Sequence, residues 1–183
     1  MRDTGIVLTS HDPWKHIDPH HAAVAEGWGR HLRGSRSIGI ASAGIVGGTA
    51  VKEGAITVMK ESGVDISKQT SDSISDFQAS DFDVVITCCG CGAKLDGDLA
   101  AWKKAPVFAD WSLDDPPAID PGDLSAYCRV RDECKERTAA MLNAVSAKQA
   151  AQAPASSSAA GLLAAVALAL AAAGIRKLTC GGN

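Results

Sequence analysis

Four short apolar runs constrain this chain more than any other feature. "GIVLTS", "SIGIASAG", "FDVVITCC" and "APVFADW" each read as a strand. Helical patterns lie between and after them. "HAAVAEGWGRHL" places Val24, Trp28 and Leu32 on one face, and "TAVKEGAITVMKESGV" does the same for Val51, Ala55, Val58 and Met59, with Gly63 as its C-cap. "DLSAYCRVRDECKERTAAMLNAVSAKQA" is a long helix whose outer face carries the charges. Strands alternating with helices imply an α/β domain, here a four-stranded parallel sheet with helices on both faces. Ligand sites in such sheets lie at the carboxyl ends of the strands. Three loops meet at that rim: "SHDPWKHIDPHH", "CCGCGAKL" and "DWSLDDPP".

Length and charge narrow the function. At 183 residues the chain accommodates one domain and an appendage. Eighteen basic and 21 acidic residues give a net charge of -3, with no basic run, one Tyr and three Phe, which points away from nucleic acid. Met1 to Gly5 do not open a secretory signal. Three of the six cysteines crowd into "CCGC", a spacing that suits redox chemistry or a metal in a reducing compartment rather than a disulfide scaffold.

The composition changes after the long helix. Residues 1–148 read as the globular domain and residues 149–158, containing "AQAPASSS", as a flexible linker. Residues 159–183 read as an apolar helix and a short polar end. The run 159–175 has no polar side chain and, as a helix, spans about 25 Å against a hydrocarbon core of about 30 Å. With no polar stripe and "RK" at its close, it is expected to be a transmembrane helix, the alternative being a helix packed on the domain or a partner.

"AEGWGRHL", "VMKESGVDISKQTSDSISDF", "DFDVVITCCGCGAKL" and "DWSLDDP" followed by "YCRVRDECKER" resemble the arsenate reductases of the low-molecular-weight phosphotyrosine phosphatase superfamily. The "CGCG" form is most similar to cyanobacterial members that draw electrons from glutathione and glutaredoxin. The resemblance spans roughly residues 5–148 and implies that superfamily's flavodoxin-like sheet. It also implies three working parts: a Cys-x5-Arg loop after the first strand that binds and attacks the oxyanion, two resolving cysteines after the third, and an Asp before Pro after the fourth acting as general acid. Carried over by motif, the resolving pair is Cys89 and Cys91, and the acid is Asp115, next to Asp114.

The first part is missing. Ser10 stands at the nucleophile position, and the first Arg after that strand is Arg30, inside the helix. A serine hydroxyl is a poor unassisted nucleophile and cannot enter a thiol–disulfide relay. Asp12 and Asp18 add negative charge where an anion would sit, and two prolines remove N–H donors.

The other candidates carry competing readings. Cys89 and Cys91 are either a working dithiol or inherited thiols in a turn, and the single Gly90 between them strains a direct disulfide. Cys88, Cys128 and Cys134 read as core; Cys180 takes no role. His16, His20 and His21 are weak metal candidates beside the cysteines, set against a helix capped by Asp18 with Pro19 at its first turn, which leaves the histidines in that turn or on the surface. Trp14 either faces a partner or fills the vacated pocket.

The sequence therefore leads to a catalytically degenerate arsenate reductase-like domain anchored to a membrane. It is expected to serve as a structural or docking subunit of a larger complex, with a plastid or thylakoid membrane as the host suggested by the cyanobacterial resemblance, and with no cofactor. The alternative is a functional thiol-dependent arsenate reductase or dithiol oxidoreductase using Cys89 and Cys91, with glutathione and glutaredoxin as reductant.

Overall fold

Ile6, Val7 and Leu8 are each fully buried, so the first strand, β1 (Thr4–Ser10), is covered on both faces and takes the centre of the sheet. The computed structural model describes residues 4–10, 20–44, 50–70, 72–90, 92, 95–114 and 124–152. After β1 come α1 (His20–Leu32), β2 (Ile38–Gly44), α2 (Glu53–Glu61), β3 (Asp72–Ser73), β4 (Val84–Thr87), β5 (Val107–Asp110) and α3 (Leu124–Gln152). Among the described residues the 3₁₀ helices Ile74–Asp76, Ala79–Asp81 and Gly97–Lys104 join the later strands.

The sheet has five parallel strands in the order β3-β2-β1-β4-β5. The expected four are all there. The fifth, β3, pairs only Asp72 and Ser73 with Ala43 and Gly44, too short to show any strand periodicity in sequence.

Alternation along the strands divides the core. Ile6, Leu8, Ile38, Ile40, Val84, Ile86 and Cys88 face one way, onto Trp28 of α1, Met59 of α2 and Met141 and Leu142 of α3. Val7, Ala43 and Val85 face the other way, onto Ile74, Phe82, Leu95 and Trp102. The expectation of helices on both faces is corrected in one respect. Among the described residues all three α-helices pack on the first face, and 3₁₀ segments and loops cover the second.

The helix ends follow local chemistry. Gly63 adopts φ 77°, its N–H bonds the Lys60 carbonyl at 2.9 Å, and the Val64 N–H bonds the Met59 carbonyl at 3.0 Å, the paired bonds of a Schellman ending. In α1, Glu26 is buried, accepts a hydrogen bond from Ser42 Oγ at 2.6 Å and pairs with Arg30. Burial pushes its carboxyl up, opposed by those two partners.

α3 runs back along the sheet from rim to base. At the rim the Tyr127 ring lies 5.6 Å from the His20 ring; at the base Gln149 Nε2 donates to Thr4 Oγ1 at 2.8 Å.

The membrane-spanning helix expected over 159–175 lies outside the described residues. Among the described residues no helix is long and apolar enough to cross a membrane.

Candidate functional site

Beyond β4 and β5 the chain continues as hydrogen-bonded loops, the first of them tied to the end of β1. Cys88 N–H donates to Thr9 O at 2.8 Å, Trp111 N–H to Thr87 O at 2.7 Å, and Leu113 N–H to Cys88 O at 2.8 Å. The "CCGC" turn is thus stitched between the first and fifth strands.

One carboxylate holds the turn in shape. Asp110, the last residue of β5, accepts from the Gly90 N–H at 2.9 Å and the Ser112 N–H at 3.0 Å through Oδ1, and from the Gly92 N–H at 2.8 Å through Oδ2. Gly90 has φ 70°, which a side chain would resist. A Cβ at Gly92 would lie 2.9 Å from Asp110 Oδ2 and 3.0 Å from Thr87 Oγ1, so only glycine lets the backbone approach. Asp110→Ala is expected to cost about 1–2 kcal/mol, since Asp110 is exposed and water replaces part of what is lost. Urea unfolding at neutral pH measures it.

The cysteines at this rim are in different chemical states. Cys89 is half-buried and disulfide-bonded. Cys88 and Cys134 are fully buried and free; burial pushes both thiols far up, so neither is a thiolate at neutral pH. Cys128, on the second turn of α3, is 6% exposed and disulfide-bonded. It was expected to be a core thiol. It is buried as expected, yet it is oxidised.

Of the two places expected for the histidines, the first turn is where they lie: α1 begins at His20, and His20 and His21 are both fully buried, not on the surface. His21 Nε2–H donates to the Asp114 carbonyl at 2.6 Å, and the two imidazole rings lie with centroids 4.1 Å apart, tilted at 42°. Burial lowers both; His21 falls to about 4, its bond to Asp114 offsetting only part of the effect. Both rings are therefore neutral in the fold and protonated in the unfolded chain below about pH 6.5. Their contribution to stability is complete above that pH and is lost as the pH falls towards 4. For His21 alone the loss is on the order of 3 kcal/mol over that window. Urea midpoints measured from pH 7 to pH 4 should fall, and His21→Gln should flatten the fall.

Ser10 ends β1 with its backbone opposite Gly44. Asp114 is exposed, and its carbonyl is the acceptor for His21. Cys91, Asp115, His16, Asp12, Asp18, Trp14 and Cys180 lie outside the described residues. Among the described residues no group of three His, Cys, Asp or Glu side chains is placed to hold a metal. Sequence reasoning missed Asp110 as the clamp; an Asp closing a strand just before Trp-Ser is its only signal, an Asx-type turn.

Comparison with known proteins places this rim in a family. The chain is 40% identical over 123 residues to the glutaredoxin arsenate reductase of Synechocystis sp., covering 67% of this chain and 88% of that one. It is 36% identical over 117 residues to the arsenate reductase of Halalkalibacterium halodurans, 62% of this chain and 81% of that one. A solved arsenate reductase in its oxidised state superposes with a TM-score of 0.64 at 33% identity, covering 76% of this chain and 97% of that one. An arsenate reductase in the phosphate-binding state superposes with 0.63 at 32% identity and the same coverage.

These similarities overturn the expectation of a degenerate, membrane-anchored docking subunit. The membrane complex as partner and the plastid or thylakoid membrane as location fall with it: both rested on the run 159–175 and on lost catalysis, whereas the relatives are arsenate reductases. Residues 21–151 match the low molecular weight phosphotyrosine protein phosphatase family, and the chain belongs to that family.

Proposed function

We propose that this chain is a thiol-dependent arsenate reductase whose electrons come from cysteines at the β4 rim, with Cys89 as the attacking thiol. The observation that carries this reading is the oxidised state of Cys89 in a turn clamped by Asp110. A cysteine that accepts a disulfide at the carboxyl end of a central strand is placed for redox exchange. The similarity to arsenate reductases supplies the oxidant.

In this reading the loop that lacks Cys and Arg gives up its catalytic part, and the β4 turn takes it over. Ser10 takes no part in electron transfer, since a hydroxyl cannot form a disulfide. Two thiols and one arsenate give one disulfide, one arsenite and one water. The Cys89 thiolate bonds to arsenic and water leaves; a second thiol then attacks the Cys89 sulfur, and the S–As electron pair returns to arsenic as As(III). Cys91 is the second thiol that the sequence points to. Asp115, directly after the residue pinned by His21, stands where the family has its general acid and would protonate the departing oxygen.

Glutathione with glutaredoxin is the reductant class proposed, in line with the name of the Synechocystis relative. The test is arsenate reduction by the purified full chain with both supplied, arsenite being quantified by chromatography. One glutathione disulfide per arsenite is expected. No arsenite above the protein-free rate contradicts the reading.

A further inference from the structure

The Asp110 carboxylate collects donors from two loops. Through Oδ1 it accepts the N–H groups of Gly90 and Ser112 and, at 3.3 Å, the Ser112 hydroxyl; through Oδ2 it accepts the Gly92 N–H. Gly90 and Gly92 follow β4, and Ser112 follows β5. The backbone is shaped for this convergence. Gly90 has φ 70° and Ser112 φ 47°, and among the described residues Ser112 is the only one with a side chain in the left-handed region. Backbone N–H groups turned inward in this way form a concavity that holds an anion. Gly92 keeps the concavity open, because a Cβ there would stand 2.9 Å from Asp110 Oδ2. The N–H to oxygen distances of 2.9, 3.0 and 2.8 Å are those of an oxyanion hole. Gly90 directly follows Cys89, the attacking thiol of the reading above. Gly90, Asp110 and Ser112 are all exposed, so a dissolved anion can reach the same donors.

We propose that the N–H groups of Gly90, Gly92 and Ser112, with the Ser112 hydroxyl, form an oxyanion site for arsenate and its isostere phosphate, and that Asp110 fills this site when no anion is bound. The use of the site by arsenate rests on the arsenate reductase reading above; the site itself is tested without arsenate. A carboxylate and a tetrahedral oxyanion both present a pair of negatively charged oxygens, so the one stands in for the other. Binding requires the Asp110 carboxylate to swing out. A competitor tethered beside the donors acts at an effective concentration of at least about millimolar. The parent chain therefore binds the anion weakly, and removing the carboxylate strengthens binding. A carboxylate that only braces the turn gives the opposite sign, since its loss loosens the donors.

Inorganic phosphate is titrated into the reduced, isotope-labelled full chain and followed by the amide resonances. In Asp110→Ala the resonances of Gly90, Gly92 and Ser112 should shift to saturation, with an affinity at least about tenfold above that of the parent. Asp110→Asn keeps the shape and one acceptor oxygen but not the charge, and should fall between the two. Affinity that is unchanged or weaker in both variants, or shifts confined to other amides, overturns the site. In turnover assays the KM for arsenate should likewise fall at least about tenfold in Asp110→Ala. A KM that rises while phosphate binds more tightly at the three amides upholds the phosphate site and overturns its use by arsenate. The phosphate result in a chain that reduces no arsenate upholds the site and overturns the proposed function. Arsenate reduction without the phosphate result overturns the site alone.

Discussion

Cys89→Ser is expected to lower arsenate turnover by at least about a thousandfold, the size of effect that follows when a covalent nucleophile is removed. The serine has nearly the same shape, so the turn clamped by Asp110 stays in place. What is lost is chemistry: an alkoxide is not available at neutral pH, and oxygen cannot pass a disulfide to a second thiol. The comparison belongs in fully reduced protein, because removing a disulfide from the oxidised form costs about 2–4 kcal/mol by itself and would mix stability into the rate. Cys134→Ala is the matching control. It lies in the core away from the rim, so it should lower the melting temperature and leave turnover per folded molecule near that of the parent.

Trp28→Ala should have the largest effect on stability. Trp28 is 2% exposed at the centre of the contact between α1 and α3. Its Nε1–H donates to the Arg131 carbonyl at 3.0 Å, and the Lys135 ammonium lies 4.8 Å from its ring centroid. Truncating so large a buried ring removes transfer energy and leaves a cavity, together about 3–5 kcal/mol. For a domain of this size that lowers the melting temperature by roughly 10 °C. Trp28→Phe keeps most of the packing and loses the hydrogen bond, so its loss should be well under half as large. A melt followed by circular dichroism in the presence of reductant distinguishes the two.

The fold was largely legible because burial on two faces leaves continuous apolar runs, and β1, β2, β4 and β5 are such runs. α1 was legible from Val24 and Trp28, and the end of α2 from Gly63, whose positive φ closes the Schellman turn. β3 was not legible, since two residues carry no period. Nor were the buried histidines. Nothing local to "DPHH" says that Asp114, 93 residues away, supplies the acceptor that tucks His21 under the rim. The site divides the same way. Family likeness points to Cys89 in the turn after β4, but the clamp on that turn by Asp110 is a tertiary contact between two strand ends. Cys128 and Cys134 looked alike in sequence, six apart on one helix; their depth along the sheet sets them apart, one reduced beside Cys88 and one oxidised near the rim. The opening loop, without Cys or Arg, points by itself to a docking subunit; likeness to arsenate reductases across the rest of the domain points away from that.

Whether the protein's own thiols reduce arsenic is settled by a single turnover: the chain is fully reduced, freed of external thiol, and mixed with excess arsenate, and arsenite and remaining thiols are counted. One arsenite should form and two thiols should be lost per chain, neither occurring in Cys89→Ser. Thiols that remain intact with no arsenite formed, or arsenite formed equally by Cys89→Ser, would contradict the proposed function.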